Sequence, residues 1–176
     1  MIIYSTRHGK TEWNKLNKVS GITDIELTDE GREQARALAK ELKGKGIDLI
    51  IASPMKRAYE TACILNEVCR TELITDERLR EQNYGIFEGV DRFSDGFLNN
   101  KRQFAYKYPG GESMMQLAYR IYGLLDEIKE KHRGKTVLLV SHGGICRVIN
   151  TYFHDMTNDE YFNYSQENCS LMEYEI

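Results

Sequence analysis

The stretch Ile2-Ile3-Tyr4-Ser5-Thr6-Arg7-His8-Gly9 decides the fold, because Thr136-Val137-Leu138-Leu139-Val140-Ser141-His142-Gly143 echoes its form near the other end of the chain. Each is a short β-branched or Leu-rich run that lacks polar alternation and ends in His-Gly. Runs of this kind read as strands covered on both faces. A βα sheet gathers the carboxyl ends of its strands along one edge, where ligands bind, so His8 and His142 are expected to meet in one crevice.

Outward from these two runs, Asp48 to Ala52 reads as a third covered strand, with weaker strands near Leu73 to Thr75 and Ser170 to Tyr174. Helical spacing of three and four joins Ala35, Leu38, Ala39 and Leu42, then Ala58, Ala62, Leu65 and Cys69, then Leu117, Ile121, Leu124, Leu125 and Ile128. Thr28 followed by Asp29 and Glu30 marks one helix start, and Ser113 with Gln116 forms a capping box. Gly44 and Gly46 are expected to end the first long helix. Ser53 and Pro54 fit an N-cap and first-turn pair that would carry Arg57 into the crevice. Strand and helix alternate with short joints, which predicts an α/β fold: a three-layer α/β/α sandwich on a mainly parallel sheet, one domain over residues 1–176. The stretch from Val90 to Gly111 has little periodicity and mixes Phe93, Phe97, Phe104, Tyr106 and Tyr108 with Lys101, Arg102 and Lys107; it reads as an inserted lid.

At 176 residues and 41% hydrophobic, the chain suits a single core. A net charge of −3 and a pI near 5.9 argue against nucleic acid or a membrane surface as partner and point to a small molecule. Cys63, Cys69, Cys146 and Cys169 form no CxxC pair and sit among apolar neighbours, as buried thiols in a reducing compartment would. With a strand beginning at once and no leader-like or membrane-spanning run, a cytoplasmic location is expected. Tyr161, Phe162 and Tyr164 form a cluster that is either an exposed interface, as in a homodimer, or a packed turn.

The chemistry follows from the residue types. Histidine attacks phosphorus through a neutral ring nitrogen, and Arg7 and Arg57 beside it would disfavour imidazolium while offering planar forks of donors to phosphate oxygens. His142 adds another donor. Phosphoryl transfer of this kind relies on positioning and positive charge, so no metal and no redox cofactor is required. A zinc site on His8, His142 and a carboxylate is disfavoured, because the two arginines would oppose a cation. Neither GxGxxG nor GxxxxGK[ST] occurs. The departing alkoxide needs a proton, and Glu81, in Leu79-Arg80-Glu81-Gln82-Asn83-Tyr84-Gly85, is the candidate acid; Glu88 competes with it.

Several separated segments together resemble the histidine phosphatase superfamily, also called the phosphoglycerate mutase-like family, over nearly the whole chain. Arg7, His8, Gly9, Thr11, Trp13 and Asn14 resemble the signature around the family's nucleophile, followed by Ser20, Gly21, Asp24, Leu27, Thr28, Gly31, Gln34 and Ala35. Ser53, Pro54, Arg57, Ala58, Thr61 and Ala62 resemble the segment with its second phosphate-binding arginine. Leu79, Glu81, Gly85, Glu88 and Gly89 resemble the segment holding its acid, and Gly110 to Ser113 and Ser141 to Gly144 complete the pattern. Lys10, where members often carry an acidic or amide residue, and Lys18, which replaces a frequent arginine, depart from it.

The resemblance implies a phosphohistidine on His8, with Arg7, Arg57 and His142 holding the phosphoryl oxygens and Glu81 protonating the leaving group. Asn14, Ser20, Gly21 and Gly143 would complete the phosphate site. Three activities are compatible: a phosphatase acting on small phosphomonoesters, a phosphoglycerate mutase dependent on 2,3-bisphosphoglycerate, and a non-catalytic protein that binds phosphorylated ligands. The short span between Glu81 and Gly110 favours the first, because a mutase must keep water from its intermediate.

Overall fold

In the computed structural model, which describes residues 1–176, the two His-Gly runs are adjacent strands. β1 (Ile2–Arg7) pairs in parallel with β4 (Thr136–Ser141), and the register sets Arg7 opposite Ser141. Both chains therefore leave the sheet at one level, and the His8 N–H adds a rung by donating to Ser141 O at 2.9 Å. β2 (Leu49–Ala52) and β3 (Glu72–Thr75) continue in parallel beyond β4, while β5 (Leu171–Glu175) runs antiparallel along β1, giving the order β3-β2-β4-β1-β5. Asp48, expected in β2, lies just outside it because its carboxylate accepts from the Thr136 N–H.

Alternation along each strand sends side chains to two cores. Ile3, Ile51 and Leu139 face α5 (Met114–Lys131) and α6 (Gly143–Phe153), which cover them with Leu117, Ile121, Leu125, Ile145 and Val148. Tyr4, Ile50, Leu138 and Val140 face α2 (Asp29–Glu41) and α3 (Lys56–Cys69), which contribute Leu38, Ala39, Ala62 and Leu65. The result is the expected sandwich, each fully buried Leu or Ile contributing about 1.5–3 kcal/mol. Thr28 accepts from the Gly31 N–H at 3.1 Å, and Ser113 and Gln116 exchange both bonds of the capping box, so two helix starts match their sequence signals.

α3 differs. Its N-cap is Met55, not Ser53, because the Ser53 hydroxyl is engaged by the His142 ring. Arg57 nonetheless lies in the first turn, as expected. Two short helices, α1 (Glu12–Lys15) and α7 (Asn158–Asn163), stand at the rim of the same sheet edge.

The 90–111 segment is more ordered than its composition suggests, with a two-turn helix α4 (Asp95–Lys101). Its aromatics divide by task. Phe97 and Tyr108 turn inward and form a small core with Val19 and Tyr84; Phe104 packs edge-on against Tyr161; Phe93 and Tyr106 stay exposed. Tyr161 itself is 7% exposed, so the aromatic cluster before β5 is a packed turn rather than an open surface. Of the four free thiols only Cys146 is fully buried; Cys63, Cys69 and Cys169 are half-buried, the last two against the core on the α2 and α3 face. No helix is long and apolar enough to cross a membrane.

Candidate active site

His8 emerges one residue past β1 and is 3% exposed. Its Nδ1 lies 2.7 Å from Gly9 O. A carbonyl can only accept, so Nδ1 carries the ring proton and Nε2 keeps its lone pair. Burial, then Arg57, then Arg7, holds its pKa well below the usual histidine value, so the ring is neutral at physiological pH. Tautomer and charge are both those of a nitrogen nucleophile.

His142 stands edge-on to His8, with 5.1 Å between ring centroids and 61° between planes. Its Nε2 lies 2.7 Å from Ser53 Oγ, which also accepts from the Met55 N–H at 3.4 Å. Its Nδ1 is buried and has no partner in the chain. Burial and the charge of Arg57 depress its pKa strongly.

The two arginines are used differently. Arg7 gives Nη1 to Gln166 O at 3.0 Å, and its Nε is buried without a partner. Arg57, wholly buried, donates Nη1 to Thr23 O at 2.9 Å, Nη2 to Gly21 O at 2.7 Å and Nε to His8 Nε2 at 3.2 Å. It fastens the 21–23 loop to His8 with three of its five N–H groups.

Glu81 and Glu88, rivals in sequence, separate cleanly. Glu81 is 5% exposed and lines the cavity; its oxygens accept from the Gln82 N–H at 2.8 Å and the Gly144 N–H at 3.0 Å. Burial raises its pKa despite these bonds and the nearby Arg57 and Arg7, which favours a stored proton. Glu88 instead gathers the N–H groups of Gly21, Ile22 and Thr23 and the Thr23 hydroxyl, between 2.8 and 3.2 Å. It is a brace for the loop.

These groups edge a cavity of about 490 Å³, within the usual span for a small-molecule site. Arg7, His8, Asn14, Ser20, Glu81 and Gly143 line it, whereas Arg57, His142 and Gly21 stand behind its wall. Gly21 has both backbone groups committed, to Glu88 and Arg57. Asn14 Oδ1 caps its own helix by accepting from the Thr11 N–H. Ser20 Oγ, like Arg7 Nε and His142 Nδ1, is a buried polar atom without a partner. Two of these atoms are in the cavity lining and the third stands behind it, and an oxyanion can satisfy such groups. Gly143 and Gly144 open α6, whose amino-terminal end adds partial positive charge there.

Lys18 lines the cavity, while Lys10 pairs outside it with Glu30 at 2.7 Å. Sequence reasoning missed Gln166, Asn168 and Arg147. The Gln166 carbonyl positions Arg7; Asn168 Nδ2 donates to His8 O at 2.7 Å; Arg147 lines the cavity from α6. Polar residues in a loop before an edge strand carry no periodic signal. Arg147, one helical turn after Gly143 on the same face, could have been found.

A family model, the histidine phosphatase superfamily (branch 1), matches residues 3–176. Phosphoserine phosphatase 1 of Hydrogenobacter thermophilus is 29% identical over 171 aligned positions, covering 93% of this chain and 81% of that protein. A protein of Escherichia coli named "Probable phosphoglycerate mutase GpmB" is 36% identical over 148, covering 80% and 69%. Among solved structures, a mycobacterial glucosyl-3-phosphoglycerate phosphatase in complex with VO3 superposes with a TM-score of 0.85 at 30% identity, covering 98% of this chain and 91% of that one. A model that spans nearly every residue, with the motif histidines set side by side at one sheet edge, places this chain in the histidine phosphatase superfamily.

Proposed function

We propose that this protein is a phosphatase that hydrolyses small phosphomonoesters through a phosphohistidine on His8. The observation that carries the reading is the pairing, in one cavity, of a neutral His8 whose Nε2 holds the lone pair with a buried Glu81 whose pKa is raised. In the first step the His8 Nε2–phosphorus bond forms as the ester oxygen departs, taking the Glu81 proton. The long 3.2 Å contact from Arg57 Nε yields to the incoming phosphorus. Arg7 Nε, Ser20 Oγ, His142 Nδ1 and the start of α6 at Gly143 meet the equatorial oxygens, with Asn14 beside them and Arg57 and the Gly21 loop behind. In the second step the Glu81 carboxylate takes a proton from water as its oxygen attacks phosphorus, the nitrogen–phosphorus bond breaks, and inorganic phosphate leaves.

His8→Ala tests the reading directly. It is expected to abolish both turnover of p-nitrophenyl phosphate and any acid-labile phosphoenzyme; retained turnover would refute the assignment. The resemblance to the Escherichia coli protein supports one second reading, a mutase. Conversion of 3-phosphoglycerate to 2-phosphoglycerate that requires 2,3-bisphosphoglycerate and outpaces phosphate release would establish it.

A further inference from the structure

Beyond His8 and Glu81 the cavity continues beneath α4, where Lys18, Arg92, Lys101 and Arg147 line it together with Phe93 and Phe162. Glu81 is the one carboxylate in the lining, and it sits at the phosphoryl end. Arg92, Lys101 and Arg147 take part in none of the chain's salt bridges, although Arg102, next to Lys101, is paired with Asp159 at 3.5 Å. What holds them is neutral. Lys101 Nζ donates to Phe162 O at 2.7 Å and lies 4.4 Å from the centre of that ring. Arg147 Nε donates to Tyr164 O at 3.3 Å, with its guanidinium 5.2 Å from the Tyr161 ring.

Carbonyls and ring faces fix a cation in place without neutralising it, so its charge stays available to a ligand. Half-buried cations clustered without a carboxylate repel one another, and that cost is recovered only when an anion enters. The phosphoryl group answers Arg7 and the inner site. Lys101 and Arg147, on α4 and α6, share no hydrogen bond with His8, Arg7 or Glu81 and are held instead by the 162–164 carbonyls. Arg92, in the same lining, bears its charge on both Arg7 and Lys101.

We propose that Lys101 and Arg147 bind a second anionic group of the substrate, a carboxylate or second phosphate carried on the organic part of the phosphoester. The inference rests on the phosphatase reading and narrows its substrate class. The test compares phosphate release from 3-phosphoglycerate and glycerol 3-phosphate, which differ in a carboxylate against a hydroxymethyl group, with p-nitrophenyl phosphate alongside. The wild-type protein is expected to favour 3-phosphoglycerate in kcat/KM by about tenfold or more, as loss of one charge-assisted bond would imply. Lys101→Gln and Arg147→Gln should each lower that preference about tenfold through KM, and Lys101→Arg should restore most of it. Turnover of p-nitrophenyl phosphate with no preference in the wild-type protein would overturn the inference and leave the phosphatase reading standing. So would an equal loss on both members of the pair in Lys101→Gln. Absence of turnover on all three esters would overturn both.

Discussion

Glu81 and Gly144 meet so closely that no side chain fits between them: the Gly144 N–H donates to Glu81 Oε2 at 3.0 Å, and a Cβ at position 144 would lie 2.5 Å from Oε1 and 3.0 Å from the Tyr84 hydroxyl. The glycine is therefore part of how the Glu81 carboxyl is aimed. Gly144→Ala is expected to displace Glu81, lower kcat by at least about tenfold and cost about 1–3 kcal/mol of stability through overpacking. Steady-state kinetics with a denaturant melt checks both; wild-type kcat in the alanine variant would remove Glu81 from the mechanism.

Glu81→Gln keeps the size of the acid and removes its proton. The loss should be about 10²–10⁴-fold for an alkyl phosphate and much smaller for p-nitrophenyl phosphate, whose leaving group needs little help. The sign of the pH effect follows from the raised pKa. In the proposed first step the protonated form is the active one, so the rate with alkyl esters should fall as pH rises through that pKa, and the Gln variant should lose this limb.

Glu88→Gln separates bracing from proton transfer. It weakens the acceptor of four backbone N–H groups, those of Gly21, Ile22, Thr23 and Tyr84, and of the Thr23 hydroxyl. A stability loss of about 1–3 kcal/mol is expected, together with a higher KM, while the pH profile keeps its shape. A vanished alkaline limb in this variant would make Glu88 the acid instead.

The sheet was legible because β1, β2 and β4 are buried on both faces, and such strands must be apolar throughout. Thr28 and Ser113 announced their helices because caps act locally. Ser53 misled for the same reason: a hydroxyl before proline looks like a cap, and only tertiary contact with His142 claims it instead. That His8, Arg7, Glu81 and His142 gather at one sheet edge could be read from motif and strand ends together. Asn168 and Gln166 could not, since their role exists only once the segment before β5 has folded back over β1.

The buried histidines couple the site to stability. Both have depressed pKa values, so between pH 6.5 and those lower values the unfolded chain binds the extra protons and stability falls with acidification. Glu81, with its raised pKa, works oppositely, gaining protons in the folded state as pH falls. Two imidazoles against one carboxyl give a net loss below about pH 6.5. Denaturant melts at pH 7.5 and 5.5 should show it, and His142→Gln should shrink the difference; an unchanged difference would mean His142 titrates in the fold.

Lys101 supplies a pH signature for substrate choice. Burial, reinforced by Arg147 on α6, Arg92 before α4 and the adjacent Arg102, lowers its pKa to about 7, and the Phe162 carbonyl is its hydrogen-bond partner. It is charged below that value and neutral above it. The preference for 3-phosphoglycerate over glycerol 3-phosphate should therefore decline as pH rises past 7, with the bound carboxylate moving the midpoint upward by favouring the ammonium form. Ionisation of the phosphoester itself is shared by both compounds and cancels in the ratio. Lys101→Arg keeps its charge across this range and should flatten the dependence. A ratio equally steep in Lys101→Arg would assign the titration to another group.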